Sequence, residues 1–333
     1  MKKLFSLFLV FTILIFCTSC FEKPKDSVDT LADVPVVILF AGLDEAAENT
    51  DVLFLLSVDT EKSHIGIMQI PRDTYVSYPE AQNKINGIYA SRRYGGASSE
   101  EALSYLSAQI SELLSIPITG SVAFTAAVLR AAVDAMGGVS VHLPQSITID
   151  DTYYPAGDQI LRGEDAERLV RHRETYAMGD LGRVDMQKLV LSAMLRRART
   201  ELHPAELIRL LLAMREDLIT DLSPSRALSL GVFAHSRLSS LSPVFFTLPG
   251  EPLSYEGHWY YVVNRPSCEK LLSAYFPFGS AFDPSHRLYD GEDISHLNIY
   301  YDAHFHPRVY TEEELSSLKI KQKRTNEDRR ERI

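Results

Sequence analysis

Cysteine is scarce: Cys17, Cys20 and Cys268 are the whole complement of a 333-residue chain, far too few for a disulfide framework. Positive charge is short as well. The 34 Lys and Arg face 44 Asp and Glu, and a net charge of −10 argues against a general nucleic-acid binder, which would carry a basic face. No segment recurs at a fixed period of roughly 20 to 50 residues, so solenoids and propellers are set aside. No GxxxxGK loop occurs, so the chain has no Walker-type cradle for nucleotide phosphates. What is there is ordinary globular material: 45% hydrophobic and 23% charged residues give a real core and exclude wholesale disorder.

The N-terminus stands apart. Lys2 and Lys3 precede the apolar run Leu4 to Phe16 and then Cys17-Thr18-Ser19-Cys20. A basic start, an apolar stretch and small residues before a cysteine have the form of a secretory signal of the bacterial lipoprotein kind, with Cys20 as the lipidated first residue of the mature chain. The rival is an uncleaved anchor, for which the run is short against the roughly 20 residues of a span. Either reading places the rest of the chain outside the cytoplasmic membrane, attached to its outer face. Residues 1–20 are then the signal, 21–34 a polar tether, 35–277 the catalytic body and 278–333 a C-terminal extension. That extension closes on Lys319 to Ile333, with seven basic and three acidic residues. It reads as a solvated, partly disordered tail, with an anionic membrane or wall polymer as the functional alternative. His304 and His306 lack further ligands at suggestive spacing and are not expected to hold a metal.

Within the body, VVILFA (36–41), LFLLSV (53–58) and IGIMQI (65–70) are short apolar runs bounded by turn residues and predict buried strands. Apolar spacing predicts helices over Glu100–Leu114 and over Val122–Met136, the second stopped by Gly137-Gly138 before strand-like VSVHL (139–143). Further helices are expected over Gly163–Arg171, Leu181–Arg199 and Pro204–Leu218. Strands at 244–248 and 259–263 and a helix over Pro266–Tyr275 complete an α/β pattern, a sheet covered by helices.

The chemistry gathers at element ends. Asp44 follows a strand and Gly42, and Asp51 opens the next strand, so both can project from one sheet edge. Two carboxylates there suit Mg²⁺, which binds through one or two carboxylates plus phosphate oxygens, although isolated Asp residues in turns more often act as caps. Arg72 follows the third strand, with Asp73 beside it as a structural partner. Arg171 and Arg173 leave one helix. Asp180 stands where it caps the next, on which Arg183 and Gln187 are four apart and share a face. Three guanidiniums and an amide can converge on one anion, because the planar donor fork of Arg matches phosphate oxygens. A salt-bridged helix surface is the plain alternative.

From about Val36 to Leu272 the chain resembles the LytR-CpsA-Psr family of bacterial cell-wall enzymes. The resemblance is carried, in order, by Gly42-Leu43-Asp44, Asn49-Thr50-Asp51, Ile70-Pro71-Arg72-Asp73, Lys84-Ile85-Asn86, Gly137-Gly138-Val139, the Gly157–Leu161 segment with Gly163, Arg171-x-Arg173, and Asp180-x-x-Arg183-x-x-x-Gln187. It implies a central mixed sheet with helices on both faces. It also implies a phosphotransferase that moves a glycopolymer from a polyprenyl-pyrophosphate lipid to a peptidoglycan hydroxyl, forming a phosphodiester. By the same resemblance Asp44 and Asp51 hold Mg²⁺, and Arg72, Arg171, Arg173, Arg183 and Gln187 surround the pyrophosphate. Asp180 is a base or an arginine orienter. Two positions depart from the family pattern: Asn49 and Met186 stand where arginines are usual. The polyprenyl tail would need an apolar groove, for which Val122–Met136 and Leu189–Leu195 are candidates, against the alternative of plain core packing.

Overall fold

A computed structural model describes residues 36–59, 64–143, 145–174, 176, 180–202, 218–223, 240–255, 257–277 and 307–318. Its centre is a seven-stranded sheet built on the three apolar runs. β1 (Val36–Leu43) pairs antiparallel with β2 (Thr50–Asp59), and β2 with β3 (His64–Ile70). Beyond β1 come β4 (Gly120–Phe124), parallel to it, and the two-residue β9 (Ile219–Thr220). Beyond β3 come β10 (Ser242–Thr247), parallel to it, and β13 (Val309–Thr311). The sheet is mixed, in the order β13-β10-β3-β2-β1-β4-β9. Smaller ribbons pair β5 (Val139–Leu143) with β8 (Gly157–Leu161), β6 (Ile147–Ile149) with β7 (Thr152–Tyr154), and β11 (Gly250–Tyr255) with β12 (His258–Val263).

Helices cover both faces. On one side α1 (Gly87–Tyr94), α2 (Ser99–Leu114) and α6 (Arg265–Tyr275) bury Ile88, Leu103, Leu106, Ile110 and Leu272 against Val37, Leu39, Leu53 and Leu55 of the sheet. The α2 helix starts at a capping box in which Ser98 and Glu101 bond each other's backbone N–H groups. On the other side lie α3 (Ala126–Ala135), α4 (Gly163–Arg171) and α5 (Asp180–Thr200), with Val133, Leu169, Leu189 and Val190 against Val58, Ile65, Ile67 and Phe245.

Two expectations need correcting. The helix expected from Val122 begins only at Ala126, because Val122–Phe124 pair with β1 as a strand. It does stop where Gly137 and Gly138 take φ of +77° and +96°. The packed chain also does not end near 277. β13 adds an edge strand from the expected extension, and α7 (Glu312–Ser316) follows it, with Leu315 fully buried in the second core. Arg199 of α5 holds Glu312 through both carboxylate oxygens at 3.0 Å and also donates to the Leu241 carbonyl. Cys20, the tether, the expected helix over 204–218 apart from Leu218, His304 and His306, and the basic tail fall outside the described residues.

The two sheet faces are covered unequally. On the α2 face Val37, Leu39, Ala41, Leu53 and Leu55 are completely buried. On the α5 face the alternate residues Ile38 and Phe40 of β1, Val52 and Leu56 of β2, and Val122 and Phe124 of β4 stay partly exposed although they stand on interior strands. The Phe40 and Phe54 rings stack at 4.8 Å on this face.

Candidate functional site

Antiparallel pairing brings three strand ends to one edge. Leu43 lies opposite Thr50 and Gly42 opposite Val52, while Leu53 lies opposite Ile70. Asp44, Asp51 and Arg72 therefore emerge together, as their sequence positions imply. Asp44 accepts hydrogen bonds at 2.9 Å from both the Glu48 N–H and the Asn49 side-chain amide. Partial burial pushes its pKa up, but the Asn49 amide and the N–H groups of Glu48, Asn49 and Ala46 outweigh this and hold it below the ordinary value. Asn49, one of the departures from the family pattern, thus orients an ionised Asp44. The Asp51 carboxylate pairs directly with the Arg72 guanidinium, whose Nε lies 3.7 Å from Asp73. Lys84 in turn holds Asp73 at 2.8 Å.

A second group comes from the end of α4. A cleft of about 820 Å³ is lined by Arg130, Glu167, Arg171, His172 and Arg173 together with Glu45 from the β1–β2 loop. Arg171 bonds Glu45 at 2.8 Å and Glu167 at 2.9 Å. Glu167 is 12% exposed and also takes Arg130, so it is fixed between two guanidiniums, whereas Glu45 is 78% exposed. Burial pushes the Glu167 pKa up, but the hydrogen bonds from Arg130 and Arg171 overcome this and leave it below the usual carboxylate range. The Glu45 contact ties the loop carrying Asp44 to the helix carrying Arg171.

A third link crosses the core. Gln69, on the penultimate position of β3, donates to the Gln187 side-chain carbonyl, and Gln187 donates to the Val170 carbonyl at 3.1 Å. One amide therefore joins the strand leading to Arg72 with the residue before Arg171. Arg183, one turn earlier on α5, is 5% exposed and is not among the residues that line this cleft. Met186, the other departure, packs in the second core at 3% exposure. Asp180 opens α5, and its side chain lies outside the described residues.

Several participants escaped the sequence reading. Glu45 and Glu167 carry no local signal, since acids on a loop and on a helix surface are commonplace. Gln69 did carry one, as a lone amide inside an apolar strand. Lys188 is the least expected: it is 3% exposed, with its ammonium held by Asp185 at 2.8 Å and Thr247 at 2.9 Å and lying 5.2 Å from the centre of the Tyr310 ring. The fully buried segments of the expected groove, including Val133, Leu189 and Val190, are core, while Leu129, Leu191, Met194 and Leu195 are only partly covered.

The LytR_cpsA_psr family model matches residues 18–276. The chain belongs to the LytR-CpsA-Psr family. Among curated relatives, the polyisoprenyl-teichoic acid–peptidoglycan teichoic acid transferase TagU of Oceanobacillus iheyensis is 27% identical over 256 residues, covering 75% of this chain and 76% of the relative. Among solved structures, protein gbs0355 from Streptococcus agalactiae superposes with a TM-score of 0.65 at 20% identity, over 83% of this chain and 99% of that one. TagV of B. subtilis gives a TM-score of 0.56 at 23% identity, over 72% and 97%. These likenesses show that the sheet and its two helical layers are the family fold. Among the described residues no helix is long and apolar enough to cross a membrane.

Proposed function

We propose that the chain is an extracytoplasmic phosphotransferase that takes a glycopolymer from a polyprenyl-pyrophosphate lipid and attaches it to a peptidoglycan hydroxyl. The observation that carries this reading is the juxtaposition of two features. A charged edge with Asp44, Asp51, Arg72, Arg171 and Arg173 is continuous with a sheet face whose apolar residues Ile38, Phe40, Val52 and Phe124 are incompletely covered. A donor with a pyrophosphate head and a long hydrocarbon tail needs both. The transferase named among the relatives, 27% identical in TagU, supports the same reaction class.

The chemistry follows from charge. In the transfer, the acceptor oxygen attacks the phosphorus that carries the glycopolymer, the bond to the bridging pyrophosphate oxygen breaks, and polyprenyl phosphate leaves with that oxygen. Catalysis of such a step is chiefly positioning and neutralisation of charge on the phosphoryl and leaving oxygens. Arg171 and Arg173 present their donors from the cleft, and Arg72 presents its own from the sheet edge. Gln187 binds β3 and α4 to each other and so fixes the spacing of the two sets. Asp180, at the start of α5, is the residue proposed to take the acceptor proton or to orient an arginine.

The acids fit a hard divalent cation. Asp44 is held ionised by the Asn49 amide and the loop N–H groups, and a carboxylate oxygen is the ligand type such a cation takes. Asp51 shares its edge and is paired with Arg72. Mg²⁺ bound by these two carboxylates would supply further neutralisation of the pyrophosphate oxygens. Lipidation of Cys20 would keep the enzyme at the outer face of the membrane, where the donor resides.

The deciding experiment is product analysis with a purified lipid-linked glycopolymer, with and without peptidoglycan. Polymer joined to peptidoglycan by a phosphodiester, with polyprenyl phosphate released only when peptidoglycan is present, is the expected result. Release of free polymer phosphate in both samples would make the protein a hydrolase and refute the transfer reading.

A further inference from the structure

The loop that carries Asp44 is tethered on two sides. Glu45 reaches to Arg171, and Glu48 reaches to Tyr94, whose hydroxyl donates to the Glu48 carboxylate at 2.7 Å. The Glu48 N–H is itself a donor to Asp44. Tyr94 is thus one residue removed from the carboxylate proposed to hold the metal, and neither it nor Glu48 lines the arginine cleft.

Its setting differs from that of its neighbours. Tyr78 and Tyr89, from the same stretch of chain, are 8% and 0% exposed, whereas Tyr94 is 74% exposed. Leaving an aromatic ring in water forgoes burial energy, and tethering it by its hydroxyl also forgoes side-chain freedom. Beside it the chain turns at Gly95 and Gly96, and around Gly96, with φ of +90°, there is open space. The result is a fixed, bare aromatic face with a carboxylate at its polar end.

We propose that the Tyr94 ring seats a pyranose ring of the acceptor glycan. A pyranose presents an apolar face of C–H bonds, which packs on an aromatic ring, and a rim of hydroxyls, one of which can donate to Glu48. A hydrocarbon chain would gain little from a single ring bordered by the Glu48 carboxylate. The inference rests on the phosphotransferase reading and adds to it the side from which the acceptor arrives. Donor pyrophosphate lies toward Arg171 and Arg173, the acceptor sugar lies on Tyr94, and the Asp44 loop stands between them.

The test uses the full chain with soluble, undecorated peptidoglycan glycan strands as the varied acceptor. Tyr94→Ala should raise the acceptor KM about tenfold, in the range of stacking contacts. Tyr94→Trp, which keeps an aromatic face, should stay within about twofold of wild type. Donor KM, kcat at saturating acceptor and Tm should stay at wild-type values in both variants. An unchanged acceptor KM in Tyr94→Ala, or an equal loss in donor KM, would overturn the proposal. Should wild type yield no glycan-linked product at all, the transfer reading fails, and direct binding of the same glycan strands still decides this one. Equal affinity of wild type and Tyr94→Ala would refute it, and weaker binding by the variant would support it.

Discussion

One face of the central sheet is sealed and the other is not. Val37, Leu39, Ala41, Leu53 and Leu55 meet α2 and α6 with no exposed surface, whereas their sheet neighbours Ile38, Phe40, Val52 and Leu56 remain partly open beneath α3 and α5. Both faces are apolar, and both belong to the same two strands. Complete burial on the first serves stability, because each side chain there removes all of its surface from water. Incomplete burial on the second leaves apolar surface unused by the fold, at the face that ends in Gln69, Gln187 and the arginine edge. An apolar surface that the fold leaves open is available to a ligand.

The largest effect expected from that contrast is on stability. Leu39→Ala on the sealed face should cost about 2–5 kcal/mol, whereas Ile38→Ala on the open face should cost clearly less, because part of its surface is already in water. Chemical denaturation of the two variants checks this, and the donor affinity of Ile38→Ala should fall while that of Leu39→Ala, once folded, holds. Equal stability losses would erase the distinction between the faces.

Next in size is the arginine cleft. Arg173→Lys keeps the charge but loses the fork, and turnover should drop at least about tenfold, roughly 1.4 kcal/mol of transition-state stabilisation, with Tm little changed. A smaller effect, of opposite sign, belongs to Glu45. Its carboxylate occupies Arg171 from an exposed position, so Glu45→Gln should tighten binding of inorganic pyrophosphate about twofold to fivefold, the scale of an exposed ion pair. Calorimetry without added metal reads this directly. Weaker binding would show that Glu45 supports the site instead of competing for it.

The smallest effect concerns acid stability. Against the upward push of burial, Glu167 has its pKa held below the ordinary glutamate value by Arg130 and Arg171, so its folded form binds a proton less readily than its unfolded form. It contributes stability that is fully present above that value and is lost as the pH falls through the lower, folded pKa. Glu167→Gln should therefore flatten the acid limb of the stability curve below pH 4.5 and leave its shape near neutrality unchanged. An unaltered acid limb would remove Glu167 as the charge that braces Arg171.

How far the sequence speaks for this molecule depends on how local each feature is. β1, β2 and β3 are legible because each is a compact apolar run with a turn residue at its end. β4 was hidden: Val122–Phe124 adjoin a helix of similar apolar density, and over five residues periodicity cannot separate strand from helix. β13 was hidden for another reason, since three residues become a strand only by pairing with Val244–Phe246, more than sixty positions earlier. For the candidate site, residue types and their motif order pick out Asp44, Asp51, Arg72, Arg171 and Arg173. What they could not indicate was pairing: Arg72 takes Asp51 and not mainly its neighbour Asp73, and Arg171 takes Glu45 from 126 residues away. Arg183 illustrates the same limit, because helical spacing gives a shared face with Gln187 and not whether that face meets solvent or core.

In the proposed transfer, arginines from the sheet edge and from the cleft hold one pyrophosphate. A double-mutant cycle on the single-turnover transfer rate, with Arg72→Lys, Arg173→Lys and the pair, tests this most directly. If both guanidiniums grip the same group, the second substitution should add little to the first, and the double variant should be within about threefold of the slower single variant. Losses that multiply in full would mean that the two arginines act on separate groups, and the single-site account would be wrong.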